Sequence, residues 1–218
     1  MALAIFDLDN TLLGGDSDHL WGEFLVDKNI VNKESYRQAN DLFYQQYLDG
    51  SLNILKFLAF TLKPLSEHPT EQLFSWRESF LKEKIEPIML DAARSLVEHH
   101  RQQGDILMII TATNSFITAP IAQRFGIDHL IATEPEMIDG RYTGKVAGIP
   151  SYKEGKVARL ENWLADHAIN LEGSYFYSDS HNDLPLLKRV DYPVAVDPDS
   201  TLKDFAQQHG WKILSLRK

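Results

Sequence analysis

Two aspartates, Asp7 and Asp9, close a short apolar run near the N-terminus of the chain. Side chains two apart in an extended segment share a face. Carboxylates held together repel unless a cation or proton lies between them. Such a pair can attack an electrophile, move a proton or hold a hard metal ion. Asp, Asn and Thr also suit ordinary turns, but an apolar strand running straight into Phe-Asp-Leu-Asp-Asn-Thr-Leu is a narrower pattern than a turn requires. A second cluster, Ser178-Asp179-Ser180-His181-Asn182-Asp183, offers Asp179, Asn182 and Asp183 as the hard oxygen donors that magnesium prefers. His181 reads as a neighbour or surface residue, because the other donors are oxygens. Thr111 and Ala112 follow another apolar run; a hydroxyl and free amides there can hold a phosphate oxygen or simply cap a helix. Lys156 stands at an expected helix start, where its charge opposes the helix dipole. Local conflict of this kind is expected where function constrains a residue. Lys153 competes for the same role, and a solvated surface lysine is the ordinary alternative.

The positions of these clusters predict the elements that carry them. Apolar runs at 2–6, 106–110, 174–177 and 192–196 each stop at polar residues, and read as buried strands. Helical patterns lie between them at 90–103, 116–125, 156–167 and 184–190. The alternation predicts an α/β fold, a mostly parallel sheet doubly wound by helices. In such sheets ligands sit beyond the carboxyl ends of the strands, where every polar cluster falls. Residues 16–86 break the alternation with a nearly continuous helical pattern, interrupted at Asn29, Gly50 and Pro64. The expected division is a core of residues 1–15 and 89–218 and a helical cap of residues 16–88. Asp139-Gly140, flanked by short alternating stretches, predicts a β-hairpin over 130–146.

Composition narrows the function classes. The chain has 218 residues, enough for a core domain with an insertion, at 44% hydrophobic and 24% charged content. It has no cysteine, which excludes thiol catalysis and thiolate metal sites. A net charge of −9 without a basic run argues against nucleic acid as a partner. Acidity does not argue against a phosphate substrate, since carboxylates hold a cation that attracts phosphate. No apolar stretch approaches the roughly 20 residues of a membrane span, and the N-terminus lacks a basic leader. No membrane partner is expected, and the cytoplasm is the expected location; oligomeric state is not legible.

The order of these motifs resembles the haloacid dehalogenase superfamily of phosphatases, in particular the subfamily with a helical cap after the first motif. Its first motif is D-x-D-x-T, here Asp7 to Thr11. The resemblance implies a Rossmann-like core, Asp7 as nucleophile, Asp9 as general acid/base, and Mg2+ held by Asp7, the Asp9 carbonyl, Asp179 and Asp183. Asp183 is alternatively placed to bind through water or to orient Lys156. Thr111, Ala112 and Asn182 would take the phosphate, and Lys156 would balance the charge of Asp7 and the phosphoryl oxygens. The fourth motif, usually G-D-x-x-N-D, has Ser178 in place of its glycine, which questions the turn but not the ligands.

The same resemblance bears on substrate. Phosphoserine phosphatases use an acidic residue after the first motif for the substrate amine, a place taken here by Asp16, and a cap arginine for the carboxylate. Aligning Leu48 to Asn53 with that family puts Ala59 at the arginine's place. A carboxylate-reading site without its arginine loses preference for phosphoserine. Histidinol phosphate therefore stands first, with its amine on Asp16 and its imidazole near acidic or aromatic residues such as Asp18; this points to a role in amino-acid biosynthesis. Phosphoserine and other phosphorylated amino alcohols follow. A phosphotransferase is a further alternative, as is a non-catalytic metal- or phosphate-binding protein of the same fold; the survival of Asp7, Asp9 and Asp179 disfavours the latter. Trp21, Phe24, Phe43, Phe74 and Trp76 are expected to be packing residues.

Overall fold

The computed structural model describes residues 2–217. Leu3–Phe6, four buried apolar residues, form β1 at the middle of the sheet. The remaining strands are β2 (Ile106–Asn114), β3 (His129–Ile138), β4 (Arg141–Ala147), β5 (Tyr175–Ser178), β6 (Tyr192–Val196) and β7 (Lys212–Leu214). They line up in the order β4-β3-β2-β1-β5-β6-β7. All neighbours are parallel except β3 and β4, which pair antiparallel. The expected hairpin is this pair, turned by Asp139 and Gly140, both at positive φ. The chain lays down β2 to β4 on one side of β1 and β5 to β7 on the other. A crevice for ligand therefore opens at the carboxyl ends of β1 and β5, where Asp7 and Asp179 emerge.

Core helices α6 (Asp91–Gln102), α7 (Ser115–Arg124), α8 (Glu154–His167), α9 (Leu184–Leu187) and α10 (Ser200–Gln208) follow the strands. Two elements go beyond the expected ones: α10, capped by Asp199 at the amide of Leu202, and the edge strand β7. The second strand also runs on to Asn114, past the expected stop at Thr111.

Between β1 and α6 lie five α-helices, α1 (Ser17–Asp27), α2 (Lys33–Leu48), α3 (Ile54–Thr61), α4 (Lys63–Glu67) and α5 (Thr70–Phe80), then a π turn at Leu81–Ile85 and a 3-10 turn at Glu86–Ile88. Asn29 and Gly50 end helices with positive φ, as their breaks require. The expected break at Pro64 falls just before it, between α3 and α4 at Leu62, and Pro64 itself lies in the first turn of α4, where its missing N–H costs nothing. The inserted helices do not build a separate core. Trp21, Phe24 and Phe80 join Phe6, Leu8 and Phe116 in one apolar cluster, with Trp21 and Phe116 ring centres 5.7 Å apart. Trp21 and Phe24 are packing residues, as the pattern predicts. Among the described residues, no helix is long and apolar enough to cross a membrane.

Candidate active site

Asp7 leaves the end of β1 with its amide bonded to the Tyr177 carbonyl of β5 at 2.9 Å. Its Oδ1 accepts from Lys156 Nζ at 2.7 Å, and the same ammonium lies 2.7 Å from Asp183 Oδ1. Lys156 is only 2% exposed, at the third position of α8. Burial works against its charge, but Asp183 and Asp7 hold its pKa above the usual lysine value. Lys153, the competitor, points elsewhere and donates to the Gly50 carbonyl at 2.9 Å.

Asp7 Oδ2 is buried and has no hydrogen-bond partner. Burial, then the charges of Asp183 and Asp9, raise the Asp7 pKa to about 8 against the pull of Lys156. Asp9 is raised as well, chiefly by burial. Its carboxylate is fixed at both ends: Oδ1 accepts from the Ser17 amide at 2.6 Å and Oδ2 from the Thr113 hydroxyl at 2.8 Å. Thr113 is a site residue the sequence reading passed over. Its signal was present, since Thr111 and Thr113 alternate onto one face of β2. Thr111 Oγ1 lies 3.4 Å from Asp9 Oδ2 and accepts the Thr113 amide at 3.2 Å.

Asp179 accepts from the Thr11 hydroxyl at 3.2 Å, while that hydroxyl accepts the Asp179 amide at 3.1 Å. Burial, then Asp7 and Asp183, raise its pKa well above the ordinary value. Asp183 is committed to Lys156 and to the Ser178 hydroxyl, which donates to its Oδ2 at 2.7 Å. The serine that replaces glycine in the motif thus adds an anchor, and it needs no positive φ to do so. Asn182 has a different task from the expected phosphate contact. It does not line the cavity; its amide donates to the Tyr47 carbonyl at 3.0 Å and its oxygen accepts from the Tyr152 hydroxyl at 3.2 Å. Core loop and cap are thereby tied together. Gly50 belongs to the same seam: at φ +76° it has no Cβ, which would lie 2.7 Å from His181 Nε2.

Asp7, Asp9, Thr111, Ala112 and Thr113 form one wall of a cavity whose opposite wall comes from the inserted helices. Asn40, Phe43, Tyr44 and Tyr47 face it from α2 at the i, i+3, i+4, i+7 spacing of one helical stripe. Phe43 is therefore a cavity residue as well as a packing one. Leu52, Ile54 and Phe57 line it too, as does the imidazole-bearing His19 of α1. Ala59 is exposed and does not line the cavity, so the expected match of Ala59 to a substrate-facing position is corrected: α3 turns 54 and 57 inward instead. Asp16 caps α1, its Oδ1 accepting the His19 amide at 2.8 Å, and burial followed by the Asp9 charge raises its pKa to about 7. Asp18 also lines the cavity. Neither of its oxygens has a partner.

Asp7 and Asp183 share one buried ammonium, Lys156, while Asp9 and Asp179, buried and half-buried beside them, contact no cation. This excess negative charge, the free Asp7 Oδ2 and an all-oxygen donor set fit a hard divalent cation such as Mg2+. His19, Glu23 and Asp41 are a second potential metal-binding group, with ligand atoms within 4.8 Å of one another. That group is less buried and includes an imidazole, which suits transition metals better than magnesium.

A parallel sheet with a helical insertion after β1, and aspartates gathered at the ends of β1 and β5, defines a phosphate-ester hydrolase of the α/β class. The haloacid dehalogenase-like hydrolase family matches residues 4–188. The chain belongs to this family, and it is a hydrolase of phosphoric monoesters related to the phosphoserine and histidinol phosphatases. It is 45% identical to a histidinol-phosphatase of Neisseria meningitidis serogroup C, over 99% of both chains. It is 32% identical to the phosphoserine phosphatase SerB1 of Mycobacterium tuberculosis, over 99% of this chain and 71% of that one. A crystal structure of a protein of unknown function from Bordetella pertussis Tohama I superposes with a TM-score of 0.93 at 44% identity, covering 99% of this chain and 98% of the other.

Proposed function

We propose that the chain is a magnesium-dependent histidinol-phosphate phosphatase working through a phospho-aspartate at Asp7. The carrying observation is the charge of the cavity. Its wall holds four carboxylates, Asp7, Asp9, Asp16 and Asp18, and no lysine or arginine. A substrate carboxylate would find no lysine or arginine to pair with there, only the His19 imidazole, whereas an amino alcohol without a carboxylate brings an ammonium for the carboxyl groups. Arg77, the arginine of the later cap, is spent on the Phe116 carbonyl at 2.9 Å and on the rings of Phe74 and Phe116. The name of the 45% identical relative supports the same substrate.

Asp7 attacks phosphorus through its free oxygen; the new O–P bond forms as the P–O bond to the alcohol breaks. Asp9, whose pKa burial raises, gives a proton to the departing alcohol oxygen. Asp9 then takes a proton from water, the water oxygen attacks phosphorus, and the aspartyl bond breaks to leave inorganic phosphate and free Asp7. Lys156 holds Asp7 Oδ1 so that Oδ2 faces the substrate, and Asp183 positions Lys156. Thr111 and Ala112 border the phosphoryl group, and Asp16 receives the amine. Asp7, the Asp9 carbonyl and Asp179 would hold Mg2+, which neutralises phosphoryl charge. The test is release of equal amounts of histidinol and phosphate by the purified chain with magnesium. Activity should vanish with a chelator and return with added magnesium. No turnover of histidinol phosphate under these conditions overturns the reading.

A further inference from the structure

We infer that Asp18 is the specificity-determining residue for a second cationic or hydrogen-donating group on the leaving alcohol, a flat ring nitrogen at the cap end of the cavity. The inference rests on the substrate reading above and assigns part of that substrate to one side chain. Asp18 is 5% exposed, yet both its oxygens lack a hydrogen-bond partner. An unpaired buried carboxyl works against folding, and the Asp18 side chain returns nothing to the fold: it holds no amide, hydroxyl or cation. Asp16, two residues earlier, is the helix cap and already accepts an amide. Asp18 is left free to receive a ligand.

The surroundings describe what that ligand is. Asp18 shares the cavity wall with Asn40, Phe43 and Phe57, and the last two rings pack edge to face with centres 5.6 Å apart. A cavity that offers both a free carboxyl and aromatic faces suits a flat, weakly hydrated donor such as an imidazole better than a small, strongly hydrated ammonium. A substrate with an ammonium alone fills Asp16 and leaves Asp18 unpaired. A substrate with both groups satisfies two carboxyls along one wall.

The test compares the native chain with Asp18→Asn on histidinol phosphate and on O-phosphoethanolamine, which carries an ammonium and no ring. The native chain should favour histidinol phosphate, and Asp18→Asn should cut that preference in kcat/KM on the order of 10- to 100-fold, the size of one charge-assisted contact. The loss should fall mainly on KM. The thermal midpoint of Asp18→Asn should equal or exceed the native value, whereas a structural aspartate would lose stability on the same change. A native chain that prefers histidinol phosphate while Asp18→Asn keeps the full preference overturns this role alone. A native chain that does not turn over histidinol phosphate overturns the substrate reading and this role together.

Discussion

At the core end of the cavity almost every charged group is tied down. Asp9 is held at both oxygens, Asp183 by Lys156 and Ser178, Asp179 by Thr11, and Asp7 keeps a single oxygen free. At the cap end the walls are aromatic and aliphatic, and Asp18 stands with neither oxygen paired. The first arrangement is preorganised for one reaction coordinate, where stabilisation comes from groups already in place. The second waits for a ligand to complete it. Chemistry and recognition are thus assigned to different elements: strand ends carry the one, inserted helices the other.

Substitutions at the two ends should therefore fail differently. Asp7→Asn removes the nucleophile and should lower kcat by at least roughly 10³-fold on every phosphomonoester, with an unchanged circular dichroism spectrum. Phosphate release near the native rate would break the comparison at its root. Lys156→Met should lower activity on all substrates alike and destabilise the fold by about 3–5 kcal/mol, because two buried carboxylates lose their shared cation. Urea denaturation reads this directly. The smallest effect concerns pH. Burial raises the Asp18 pKa well above the ordinary 3.8, so above that pH the native state binds more protons than the unfolded chain and stability falls as pH rises. Asp16 adds to the fall up to about pH 7. The gain in thermal midpoint from Asp18→Asn should then be near zero at pH 4 and positive at pH 8. A gain that shrinks with rising pH would contradict the assignment of Asp18 as an unpaired buried carboxyl.

The same division explains what the sequence made legible. Asp7, Asp9, Lys156, Asp179 and Asp183 follow abrupt stops in apolar runs, and a parallel sheet leaves such stops at one edge. The structure brings Asp7, Lys156 and Asp183 into direct contact. The cap was legible as helix but not as a surface. Helical spacing says that Asn40, Phe43, Tyr44 and Tyr47 share a face; it does not say whether that face meets a core or a cavity. Ala59 was misplaced for the same reason, since it stands two residues, about half a helical turn, from the lining Phe57, which exchanges the lining side of α3 for the exposed one. The task of Asn182 was hidden because its partner, the Tyr47 carbonyl, lies 135 residues away and carries no side-chain signal. The edge strand β7 has three residues, too few for a pattern to stand out.

The most direct measurement is the ratio of kcat/KM for histidinol phosphate to that for phosphoserine, taken on the purified chain in one magnesium buffer. A cavity lined by four carboxyl groups and no lysine or arginine predicts a ratio on the order of 100 or more, because the serine carboxylate lacks the bidentate partner it needs. A ratio at or below unity would contradict the claim that the cap end selects a cationic alcohol.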